Sequence, residues 1–224
     1  MEKISFRHSV IFFNFCIFTS PFYFILNFEP IIFGLFLILI LGISHGALDN
    51  IKGKKLLKLF GYKSSFSFYF TYVLISFLII IFWLLFPNII LLLFLIVASY
   101  HFGKEDTVFS FKRKYWIPEC LFFFKGSAVI ITPLLFQKDK TNEIFQTLNF
   151  NVFESQIFTD QFLIMLLCLS FLSSLYISNN KSTDLKGLMV MDFFSLIILN
   201  IFLTPVLAFT LYFCFLHSIR HSIT

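Results

Sequence analysis

Apolar runs at roughly 9–27, 31–48, 66–86, 88–103, 117–136 and 157–178 are followed by a longer apolar region from about 188 to 221. Several of these runs approach twenty residues, and at ~1.5 Å of rise per helical residue they match the ~30 Å hydrocarbon core of a bilayer. Lipid offers the backbone no hydrogen-bond partners, so the structures that can cross it are helices and closed barrels. The alternating pattern of barrel strands is absent. The sequence is 58% hydrophobic and 13% charged, which leaves too little polar surface for a soluble domain of this size. The expected fold is all-α, a polytopic transmembrane helical bundle of about seven to eight spans, in one domain over 1–224. The first run lacks a small-residue cleavage site and leads into further spans, so it reads as a span rather than a cleaved signal.

The net charge of +5 follows from where the cations stand and does not indicate nucleic acid. Lys3 and Arg7 precede the first run, Lys52, Lys54, Lys55, Lys58 and Lys63 follow the second, and Lys104, Lys112, Arg113 and Lys114 follow the fourth. The alternate connections "NFEP" and "FPN" carry no Lys or Arg, and in 137–156 Lys138 and Lys140 are outweighed by Asp139, Glu143 and Glu154. The positive-inside rule then predicts a cytoplasmic amino terminus in a multi-pass protein of the inner membrane. The 37 phenylalanines read as lipid-facing filler. Cys16, Cys120, Cys168 and Cys214 form no CxxC pair and read as small buried hydrophobes.

Four of the five histidines stand at the ends of apolar segments: His45 in "LGISHGALDN", His101 in "ASYHFGKEDT", and His217 and His221 in "FLHSIRHSIT". The charge pattern places His45 and His101 at cytoplasmic helix ends. Two readings of the last region decide whether the others join them. One kinked helix would carry His217 and His221 to the outer face. A hairpin broken at Thr204–Pro205, where proline removes a donor and disfavours helix in the residue before it, returns them and Arg220 to the inner face. The hairpin is the favoured reading, and it brings four imidazoles to one depth. His217 and His221, spaced i, i+4, share a helix face and can clasp one metal ion; imidazole suits zinc, iron or copper. Asp49 and Asp106, just beyond His45 and His101, are placed to orient ligating imidazoles directly or across helices. His8 reads as a headgroup contact. Asp192, within the last region, is expensive in lipid and marks function or a buried pair.

"GISHGALD", "YHFGKED" and "FLHSIRH", in this order, resemble the Brp/Blh family of bacterial and archaeal β-carotene 15,15'-dioxygenases, and "GSAVIITPLLF" followed by "IFQTL" is similar to that family's middle region. The resemblance runs from about residue 35 to the end. It implies a non-haem Fe(2+) enzyme that uses O2 to cleave β-carotene at its central double bond into two all-trans-retinal molecules. It further implies His45, His101, His217 and His221 as iron ligands and Asp49 and Asp106 as their carboxylate supports. A lipid bilayer and a rhodopsin apoprotein that takes the product are its expected partners. Family members usually continue past the last histidine motif, whereas this chain ends at Thr224, so a carboxyl-terminal shortening is expected. Gly46 and Gly103 would let helices or substrate approach closely, and Tyr100, Phe102 and Tyr212 are candidates for a polyene tunnel.

Other classes fit less well. Five histidines are too few for a membrane di-iron desaturase, and no Glu-Glu pair occurs for an intramembrane CaaX-type protease. Haem between two histidines remains open, as does a non-catalytic carotenoid- or retinal-binding accessory protein for rhodopsin assembly.

Overall fold

The computed structural model describes residues 2–26, 32, 34–40, 53–55, 57–59, 61, 65–109, 111, 116–154 and 158–223. Among the described residues the regular structure is helical throughout. Helix α1 spans Glu2–Leu26, α2 Ser65–Leu85, α3 Pro87–Glu105 and α4 Ile117–Phe136. Helix α5, Lys138–Thr147, follows directly and leads through a 3-10 turn at Val152–Glu154 to α6, Asp160–Ser178. Helix α7 spans Thr183–Phe202, α8 Pro205–Leu211, a π-helical segment Tyr212–Ser218, and α9 Ile219–Ile223.

Five of the described helices are long and apolar enough to cross a membrane: Phe68–Leu85 within α2, then α3, α4, α6 and α7. They fall on the expected runs. The expectation of seven to eight crossings also counted the first run, the run at 31–48 and the returning half of the last region. Helix α1 carries Glu2, Lys3 and Arg7 in its first two turns and stands outside the five. Residues 41–52 lie outside the described residues, and the returning half of the last region is divided into α8, the π-helical segment and α9.

Small and polar side chains share the interior with apolar clusters. Helices α3 and α4 meet at Gly103 and Gly126, where an added Cβ would run into the Phe122 and Ser99 carbonyls respectively. Gly103 therefore serves helix-to-helix approach, the small-residue packing typical of membrane bundles. Ser170, Ser173, Ser174 and Ser178 line one side of α6, and Asn200 of α7 donates to Thr132 of α4 at 3.0 Å. The largest apolar cluster joins Phe12 and Cys16 of α1 to Leu196, Leu199, Leu207, Ala208, Tyr212 and Leu216 of the last region and to Phe102 of α3. Two of the four cysteines depart from the buried expectation, since Cys168 is exposed and Cys120 half-buried.

The last region is a hairpin. Leu203 and Thr204 are extended, with ψ of 157° and 152°, and Pro205 opens α8. This is the behaviour of residues ahead of a proline that itself suits a helix's first position. The Arg220 guanidinium clasps the Asp192 carboxylate across the turn. In one continuous helix, residues 28 apart would stand ~42 Å from each other, so the single kinked helix is excluded.

Candidate active site at the ends of the last hairpin and helix α3

The hairpin delivers two histidines to the carboxyl end of α3. His101 of α3 lies with its ring centroid 5.3 Å from that of His217. His217 is fully buried, and its Nδ1 bonds Asp106 Oδ1 at 2.8 Å. His221 Nδ1 bonds Glu105 Oε2 at 3.0 Å. A carboxylate accepts, so each Nδ1 is the donor, and the neutral ring then presents Nε2 as its lone-pair nitrogen. Braced through Nδ1 by a carboxylate, an imidazole is in the tautomer and orientation that a ligating histidine needs.

The π-helical segment explains how one carboxylate serves two partners. Asp106 also accepts from the Tyr212 hydroxyl, at 2.5 Å on its second oxygen. Tyr212 and His217 are five residues apart, which in an α-helix would set them about 140° apart around the axis. The i→i+5 bonding of a π-helix stacks them instead, and such segments recur at functional sites. Burial alone would raise the Asp106 carboxyl, but the neighbouring His217, its hydrogen bond, and the cations Lys125 and Arg220 hold it well below the usual carboxylate range. Lys125 of α4 reaches the same region, donating to the Gly103 carbonyl at 3.2 Å and Thr107 Oγ1 at 2.9 Å.

Around this centre, Phe102 packs edge-on to His217 at 4.9 Å, and Phe213 stacks on it at 5.7 Å. Behind it, Arg220 is fully buried, paired with Asp192 and donating to Ser9 Oγ of α1 at 2.6 Å. His8 Nε2 donates to the Phe215 carbonyl at 2.8 Å. Helix α1 is thereby fastened to the segment that carries His217.

The candidate residues sort as follows. His101, His217 and His221 come to one end of the bundle, while His45 and Asp49 lie outside the described residues. Asp106, expected near His101, braces His217 across the helix interface. Asp192, expected to mark function or a buried pair, is paired with Arg220. His8 is corrected: it is half-buried and bonded to the last hairpin, because α1 packs along α7 and turns that face inward. Tyr212, a tunnel candidate, is buried and donates a hydrogen bond to Asp106. Glu105 was missed, although its place four residues after His101 set both on one face of α3. Among the described residues no three His, Cys, Asp or Glu side chains converge as a ligand set.

The sequence comparisons point the same way as the resemblance. The chain is 28% identical over 192 residues to the β-carotene 15,15'-dioxygenase of the uncultured marine bacterium 66A03, a match covering 83% of this chain and 66% of that one. The chain thus spans somewhat under two thirds of that relative's length. No solved structure matches. The family described as β-carotene 15,15'-dioxygenase matches residues 36–224, which hold the described histidine cluster and both of its carboxylate braces, and the chain belongs to that family.

Proposed function

We propose that the protein is a membrane non-haem iron dioxygenase that cleaves β-carotene with O2 at the central double bond into two all-trans-retinal molecules. The observation that supports this reading is the ring contact of His101 with His217, with His221 at the same end of the bundle and His217 and His221 braced through Nδ1 by Asp106 and Glu105. Fe(2+) would be held by these three and by His45, with Asp49 a further carboxylate support. Bound there, iron supplies the means to engage dioxygen beside an apolar substrate. The chain's own residues do the rest. Asp106 and Tyr212 fix the His217 ring, Glu105 fixes His221, and Phe102 and Phe213 wall off His217 from water. The substrate partitions into lipid, so the lipid-facing sides of α3 and α8 are its natural approach. The cation-rich loops favour a cytoplasmic amino terminus and put the site at the inner face. A rhodopsin apoprotein is the proposed recipient of the product.

The test is expression in a bacterium that accumulates β-carotene. Bleaching with retinal formation is expected, together with about one iron per purified chain and no haem band, since the histidines suffice for one iron site. Retained colour with pigment bound to the protein would overturn catalysis in favour of an accessory binding role.

A further inference from the structure

A cavity of about 270 Å3 lies between α3, α4, α5 and α8, with Ala98, Phe102, Val129, Pro133, Phe145 and Phe209 in its walls. Its polar member, Thr141, has its hydroxyl at 3.0 Å and 2.7 Å from the Pro133 and Gln137 carbonyls. The surface left to an occupant is therefore hydrocarbon. Phe94 and Phe209, at its edge, are 62% and 40% exposed and would face lipid, so the cavity has a lateral mouth. At its inner end stands Phe102, next in the chain to His101 and edge-on to His217. A second groove of about 140 Å3, across α3, is walled by Leu92, Ile96 and Phe123 and reaches neither Phe102 nor a histidine. A third of about 230 Å3 lies on the α1 face beside His8. The first cavity alone among these runs from lipid to Phe102, the ring packed against His217.

We propose that this cavity seats one cyclic end group of the carotene, a deepening that rests on the carotene-cleaving reading above. Size fits the occupant. An apolar cavity of ~150 Å3 holds benzene, so by proportion one of this volume holds about ten carbons, the size of a trimethylated six-membered ring with its first chain atom. Direction fits as well. Cleavage at the 15,15' bond divides the molecule at its midpoint, so an arm must run from the reacting bond to each end group. Ala98 and Phe102, one turn apart on α3, line that run from the histidines outward, and from Phe94 to His101 the helix advances ~10 Å. The end group lies beyond them, beneath Phe145 and against Pro205. The break between α7 and α8, which returns the histidines, thus also forms part of the seat.

The experiment measures retention of β-carotene by purified protein in detergent with dioxygen excluded, so that cleavage does not enter the readout. Ala98→Phe fills the passage, and Val206→Trp crowds the lipid-facing mouth without overpacking the interior. Val97→Phe, on a 63% exposed position of the same helix turn, is the control. Wild type and Val97→Phe should retain pigment. The other two should retain about tenfold less or lower still, as loss of apolar contact area dictates, with iron content unchanged. Failure of the wild type to retain carotene, or retention at wild-type level by Val206→Trp or by a folded Ala98→Phe, overturns the seat. Retention that falls in these variants of a protein unable to cleave in air would leave the seat and remove the catalytic reading. Cleavage untouched by either variant would do the reverse.

Discussion

Helix α2 presents the stretch Phe68–Leu85 with none of it buried, whereas the returning segment beyond Thr204 buries Tyr212, His217, Ser218 and Arg220. Both are drawn from apolar sequence. Helix α2 satisfies its backbone internally and leaves its side chains outward, which costs nothing where the surroundings are hydrocarbon. The returning segment does the opposite, spending its inward face on polar groups that must be paired because water cannot reach them. The difference teaches that in such a chain apolarity reports the solvent, and interior polarity reports the site.

The largest effect should come from the imidazoles. Replacing His101, His217 or His221 singly with Ala should abolish retinal production in the carotene-accumulating host, and His45→Ala should do the same. His8→Ala should keep most activity, because its bond to the Phe215 carbonyl contributes about one hydrogen bond's worth of stability, ~0.5–1.5 kcal/mol. Two or more of the four site variants with full activity would sink the shared site.

Next is the buried pair. Arg220→Met leaves Asp192 charged and buried, and removal of one partner from such a pair costs about 3–5 kcal/mol. The double change Arg220→Met with Asp192→Leu should recover most of that loss in thermal unfolding of the detergent-solubilised protein. A double variant as unstable as the single would show that the pair's geometry, and not charge burial, fixes the hairpin.

Smaller again are the braces. Asp106→Ala should lower iron affinity on the order of 10–100-fold, as losses of a ligand's orienting carboxylate do. Tyr212→Phe removes one hydrogen bond to that carboxylate but leaves the carboxylate's own bond to His217 in place, and should cost less. Iron titration of both variants orders them, and a Tyr212→Phe effect exceeding that of Asp106→Ala would reverse the assigned roles.

Part of this is legible in the sequence. Five of the runs foretold helices long and apolar enough to cross a membrane, where seven to eight spans were expected; Thr204–Pro205 marked the turn, and the cost of Asp192 in lipid marked function or a buried pair. The partners themselves were less accessible. Tyr212 and His217 share a carboxylate through a π-helical widening that no proline or glycine punctuates, so a 3.6-residue period misaligns them by more than a third of a turn. Asp106 stands at the end of α3, where the helical phase no longer says which neighbour it faces, and only the α3–α4 glycine contact and the hairpin bring His217 to it. Glu105 was within reach of the ordinary i, i+4 rule. The place of α1 was hidden because Ser5, Ser9 and His8 look like an interfacial tail until α7 packs beside them.

The smallest effect should lie in α2, and it tests the other half of the contrast. Ile75, Leu78 and Ile79 are 51%, 41% and 52% exposed. Changing any of them to Val or Ala removes contacts with lipid rather than with protein, so no cavity is created and no polar group is stranded. Surface substitutions of this kind usually change stability by no more than about 0.5 kcal/mol, whereas a methylene deletion inside a packed core would cost ~0.8 kcal/mol or more. Thermal unfolding in a fixed detergent separates the two. A loss above about 1 kcal/mol at these positions would mean that this face packs against protein in the working molecule, and α2 would then be an interface instead of a lipid wall.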